Sequence, residues 1–425
     1  MRYAMVALLA GILSATWIAC EKNEMSQCGP ACTDVKTAAE FTAALAGDST
    51  CLCLLEGSYE GQFVLNTPKT IQGMGKETSV LTSNAGTPLV IHTDNVSISN
   101  LGFKLDLAGL AETPALKIEP KEKGATLANI SLSNIAVSTV NGGGIRVSAV
   151  SPFTLTNSTV TADAKGIVLL GATAATLSGL TATDCGRMGI AFANNAKGII
   201  ANSTVTRNGY TGLWIQDTAE VRVVDSVFKD NSLAGINIVN AKNILIENSE
   251  IASSKPLAGK EGADGIVVYT PELAGDPIMA GDPIMAGDPI MHHAFTLLGS
   301  TVKDHPRAAL IFDGTAASTG KELKNIALDG VTIFRMSYGV VFQNGMEPQS
   351  FSGDSEAVNE DFSPGYEESA SDAINGQPDE SAVAPDDDSI TAPSSDDDKE
   401  IPDTDQPSGG TGDEPLPIEN SGEEF

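Results

Sequence analysis

The chain has 425 residues, 55 acidic and 25 basic, and a formal net charge of −30. Residues 347–425 hold 24 of the acids and one base, Lys399, so that stretch carries −23 of the total. The rest is near charge balance with no basic stripe, which argues against a nucleic-acid partner.

Arg2 precedes an apolar run, 4–19, that ends at Cys20. The run is short for a membrane span and suits an export signal over 1–19. Its end, WIAC, resembles the lipobox of bacterial lipoproteins, although Trp17 stands where Leu is usual. The resemblance implies lipidation at Cys20, a membrane anchor, and a place in the bacterial outer membrane or at the cell surface. A plain signal peptide and a periplasmic location are the alternative. Export implies an oxidising compartment. Cys28 and Cys32, in the linker 20–33, and Cys51 and Cys53 then make two disulfides, with three pairings open. Strain within the C-L-C segment favours cross-pairing. A four-thiolate metal site is the other reading, with poor spacing for zinc. Cys185 is left as an unpaired turn residue.

Residues 34–46, DVKTAAEFTAALA, have helical spacing, with Val35, Ala38, Phe41 and Leu45 on one face. A repeat follows. The segments ISNLGF, LSNIAV, LTNSTV, LSGLTA, IANSTV, VVDSVF, IENSEI, LLGSTV and LDGVTI share an anchor residue. The anchors are Asn100, Asn134, Asn157, Gly179, Asn202, Asp225, Asn248, Gly299 and Gly330, all types that tolerate a left-handed backbone. From 134 to 248 the steps are 23, 22, 23, 23 and 23. A second register, GIRV, GIVL, GIAF, GLWI, GINI, GIVV, ALIF and GVVF, is apolar one and three residues past its lead position. That is strand alternation with one face buried. Each unit of short strands must stack on its neighbours to bury that face.

The hexapeptide AGDPIM occurs three times without change over 274–291. It falls where the anchor spacing widens from 23 to 51, and its Gly-Asp and Asp-Pro pairs form turns. It reads as a loop projecting from one coil. The tail 347–425, poor in large apolar groups, reads as disordered.

These units resemble right-handed parallel β-helix proteins of the pectate-lyase-like type. The opening CLLEGSYEGQFVLNTPKTIQGMGKETSVL, 53–81, is similar to that family's first coils, and 34–46 to its capping helix. The resemblance implies an all-β solenoid over 34–346, with polysaccharide lying along the sheet of the second register. The outward floor of that sheet contains Trp214, Gln216, Asn237 and Tyr269, with Tyr210 in the preceding loop. These are the candidate ligand-binding residues, because an outward aromatic pair suits the apolar face of a sugar. A loop or the tail covering Trp214 is the alternative.

A lyase needs a base beside a uronate and a cation for the enolate. Asp184, Arg187, Arg207, Lys229, Asp230, His305 and Arg307 are the catalytic candidates. The calcium-holding carboxylate cluster of pectate lyases and the motifs of polygalacturonases are missing. The expectation is therefore an envelope protein that binds polysaccharide or a protein partner without catalysis. A lyase, hydrolase or epimerase of a uronic glycan and a purely structural protein are the alternatives. No cofactor is expected beyond weak calcium binding, to which the acidic tail would contribute.

Overall fold

The computed structural model describes residues 28–29, 31–217, 220–241, 243–256, 262–270, 293–314, 323–343 and 351–353. All belong to one unit, Met1–Gln377. Residues 1–27, the hexapeptide segment 274–291 and the tail beyond 353 lie outside the described residues. So do the export signal, the Cys20 anchor and the expected disorder of the tail.

Three parallel sheets, of 13, 11 and 11 strands, wind the described chain into a solenoid. We call them A, B and C. One coil runs from Phe153–Thr156 in sheet A, through Thr159–Thr161 in sheet B, to Ile167–Leu170 in sheet C. The chain then returns to sheet A as Ala174–Ser178, paired in register with the strand one coil before. Inward residues pile up down each sheet. Leu155, Leu177, Ile200, Val223, Ile246, Leu297 and Leu328 form one such column, all fully buried. Neighbours in a column are about 4.8 Å apart, so each side chain is covered above and below by another.

All nine anchors adopt left-handed backbone, with φ between 47° and 64°. They turn the chain from sheet A into sheet B. Asn134 Nδ2 donates to Asn100 Oδ1 at 2.7 Å, one rung of an asparagine ladder. A second ladder lies directly beneath. Ser158, Ser203, Ser226, Ser249 and Ser300 follow their anchors and are at most 3 % exposed. Each hydroxyl accepts from a backbone N–H of the preceding coil at 3.1–3.2 Å. Each donates to the carbonyl two residues back at 2.7–2.8 Å. A Ser226→Ala variant leaves a buried N–H and a buried carbonyl without that hydroxyl. It should lose about 1–3 kcal/mol in a urea unfolding curve, whereas no measurable loss would contradict the ladder.

The glycine that leads most second-register strands has a steric cause; Ala309 leads the exception. A Cβ on Gly189 would lie 2.6 Å from both Asn208 Nδ2 and Val205 Cγ1. The lead position points inward at the tightest corner of the coil.

The capping helix is shorter than the sequence suggested. It spans Ala38–Ala46, with Thr37 as its N-cap accepting from Glu40 N at 3.2 Å. Thr33–Val35 instead form a strand that pairs with Cys51–Leu54 and extends sheet A. Val35 is buried as predicted, but from a strand. Phe41 packs edge-on against Tyr59 and Phe63, closing the end of the core. The disulfides are Cys28–Cys53 and Cys32–Cys51, the cross-pairing favoured by strain. Cys185 is a free, buried thiol pushed up to about 12 by burial, so it is inert at neutral pH. At the other end, sheet A continues to Phe351–Gly353, past the expected limit at 346. The hexapeptide segment is bracketed by Asp264–Thr270 of sheet C and His293–Leu298 of sheet A. Sheet order therefore resumes across the insertion without losing a strand.

Candidate functional site

The outward side of sheet C changes character along the solenoid. Over the first coils its outward residues, Val64, Val90, Lys117 and Arg146, are half-buried or exposed. From Val168 to Ile311 the same row is closed, while Val341, next in register, is half-buried. Val168, Ala191, Trp214, Asn237, Val267 and Ile311 are each at most 8 % exposed. Alternation sends these side chains away from the core, and they form apolar clusters separate from it. Sheet C is thus buried on both faces over its later coils. The signal was in the sequence: IVLL and IAFA are continuous apolar runs, as expected for a parallel strand covered on both sides. Reading only the period-two pattern missed it.

Trp214 points outward as predicted and is 2 % exposed, packed in an outer cluster with Val168, Leu170, Met188, Ala191, Ala193 and Val239. Its ring is 6.0 Å from that of Tyr210, and its Nε1 donates to Gln216 Oε1 at 3.2 Å. Burial pushes the Tyr210 hydroxyl up to about 12. Asn237 is the in-register neighbour of Trp214 on the next strand. Its Oδ1 is buried with no hydrogen-bond partner, as is Thr211 Oγ1 at the head of the Trp214 strand. Buried polar atoms without partners are rare enough to require a reason. Asp313 lies in the same outer layer at 2 % exposure, in register with Tyr269, whose side chain lies outside the described set.

The catalytic candidates are dispersed. Asp184, Arg207 and Asp230 occupy equivalent left-handed turn positions at the end of sheet B, 23 residues apart. Arg207 Nε and Nη2 donate to both oxygens of Asp184, at 2.8 and 2.7 Å, and this holds the Asp184 carboxyl below its usual range. Lys229 ends a sheet B strand, on a different face from Trp214. Arg187 and Lys165 both grip Glu112 at 2.7 Å. Arg307 is 2 % exposed and forms a bidentate pair with Asp264 at the head of its sheet C strand; Nε to Oδ1 is 2.8 Å. Burial drives the Asp264 carboxyl up against the opposing pull of Arg307. His305 is buried in an inner turn ladder. Its Nδ1 accepts from Ser254 N at 3.4 Å and its Nε2 donates to Ile251 O at 3.1 Å. Among the candidates, the side chains of Asp184 and Arg207 pair, and Arg207 N donates to Lys229 O at 3.2 Å. Among the described residues, no three His, Cys, Asp or Glu could hold a metal ion, and no helix is long and apolar enough to cross a membrane.

Comparison with known proteins agrees with this geometry. The family described as "Right handed beta helix region" matches residues 122–270. Among solved structures, the A-module of the Azotobacter vinelandii mannuronan C-5 epimerase AlgE4 is similar, with TM-score 0.51 and 14 % identity. The likeness covers 74 % of this chain and 90 % of that one. The catalytic unit of a GH87 α-1,3-glucanase from Streptomyces thermodiastaticus has TM-score 0.53 and 15 % identity, covering 74 % of this chain and 64 % of its own. No curated protein matches the sequence. The three stacked parallel sheets, the repeat and these likenesses together give this chain the right-handed parallel β-helix fold.

Proposed function

We propose that this is an exported, lipid-anchored envelope protein that holds a polysaccharide chain on the outer face of sheet C and does not turn it over. The observation that carries the reading is Asn237 Oδ1, an acceptor facing outward, buried and without a partner beside Trp214. A sugar hydroxyl would satisfy it. Both neighbours in fold are named for work on glycans, mannuronan for one and α-1,3-glucan for the other. The two disulfides support export.

Turnover is disfavoured by the dispersal of the acids and bases. A lyase needs its base and cation together, and a hydrolase needs two carboxylates across one cleft. Asp184 and Arg207 neutralise each other at the end of sheet B, and Arg307 and Asp264 do so in the outer layer. The test incubates the full-length oxidised protein with neutral and uronic polysaccharides, following binding and new chain ends. Binding without product is expected. Asn237→Leu keeps the volume and removes the partnerless acceptor. It should hold or raise the thermal midpoint while weakening binding about tenfold or more. New reducing ends or unsaturated sugars would favour the enzyme alternative. No binding to any glycan would leave a structural protein or one with a protein partner.

A further inference from the structure

We infer that the sheet C site selects an uncharged glycan and rejects uronates; this rests on the glycan-binding reading above. Two of the buried atoms without a hydrogen-bond partner lie beside Trp214, an amide oxygen, Asn237 Oδ1, and a hydroxyl, Thr211 Oγ1. An amide oxygen can only accept, so its partner must bring a proton. Sugar hydroxyls do so; a uronate carboxylate does not. The nearby Gln216 Oε1 already accepts from Trp214 Nε1, and its Nε2 donates to Asp217 Oδ2 at 3.3 Å.

A carboxylate entering this layer would also need a cation, because burying an unpaired charge is far costlier than burying a hydroxyl. Among the described residues, the cations Lys165 and Arg187 are committed to Glu112, and Arg307 to Asp264. Arg146, farther along the outward row, is three strands from Trp214, a distance of about 14 Å. The buried Asp313 adds an acidic group to the same layer. The whole chain's charge of −30 works in the same direction at longer range. Selection is sharp in such a place. A closed site built to receive a hydroxyl rejects a ligand that leaves its polar atoms unpaired far more strongly than an open one.

The deciding experiment compares one polymer in two forms, polygalacturonate and its carboxyl-reduced galactan, titrated into the full-length protein at matched length and fixed ionic strength. The reduced polymer should bind at least about tenfold more tightly. Asn237→Asp, which replaces the amide by a carboxylate at the same size, should weaken binding of the reduced polymer and leave the uronate no better bound. Equal or tighter binding of the uronate would overturn the inference while leaving the glycan reading intact. Failure of both polymers to bind would overturn both together.

Discussion

Arg307→Met should lower stability by about 3–5 kcal/mol, the usual cost of removing one partner from a buried ion pair. Asp264 and Arg307 are 1 % and 2 % exposed at the side chain, so the carboxylate left behind has no water to solvate it. The Asp264 Oδ1 bond from Ala308 N, at 3.2 Å, survives but cannot replace a guanidinium. The pair sits at the heads of two consecutive sheet C strands, Asp264–Thr270 and Ala308–Gly314, which flank the insertion. Repeat proteins unfold in nearest-neighbour blocks, so the damage should be local first. Hydrogen exchange should show lost protection in these two strands before the coils around Leu177. Adding Asp264→Leu should recover most of the loss, because the buried charge is then gone. An Arg307→Met protein with an unchanged urea midpoint would mean that the pair is solvated.

The second large effect is a pH dependence at His305. Burial depresses its pKa to about 4 from an ordinary value of 6.5. The unfolded chain therefore takes up a proton as pH falls through 6.5, while the folded chain resists until about 4. Its stabilising contribution is complete above pH 6.5 and drains away as the pH drops towards 4. The total is about 3 kcal/mol, from the size of the shift. Asn208 and Asn231 are earlier members of the same inner turn ladder, with Asn208 N donating to Asn231 Oδ1 at 3.1 Å. His305→Asn should therefore fold and flatten the stability profile between those pH values. A variant that keeps the full wild-type slope would place the acid sensitivity elsewhere.

The sequence made the coil legible because the repeat is strict where it matters. A step of 22 or 23 residues brought the anchors into one column, and the lead glycines into another. The same step stacks Asp184 and Arg207 as an ion pair, where the sequence reading had named them only as catalytic candidates. What stayed hidden has particular causes. Asp264 and Arg307 are 43 residues apart because the insertion stretches the step between them, so no period joined them. His305 was hidden by the same expansion and looked like a loop residue rather than a rung. The serine ladder was present in the text as Asn-Ser, Asp-Ser and Gly-Ser pairs, but the anchor alone was read. Trp214 shows the limit of alternation: it tells which side a residue faces, not whether that side is covered. Thr33–Val35 show a different limit, since a helical pattern can be claimed by a sheet edge that needs a partner.

The central claim is that a glycan occupies the outer face of sheet C beside Trp214 without being turned over. The chain has two tryptophans, Trp17 and Trp214. With the proposed export signal cleaved before Cys20, Trp17 is lost and the mature chain reports on Trp214 alone. The most direct measurement titrates this protein with the glycan that binds best, recording tryptophan emission and new chain ends on one sample. A saturable change in emission, at the concentration where binding is measured and with no new ends, is the predicted result. Binding that leaves the Trp214 emission untouched, or that generates new ends, would contradict the account.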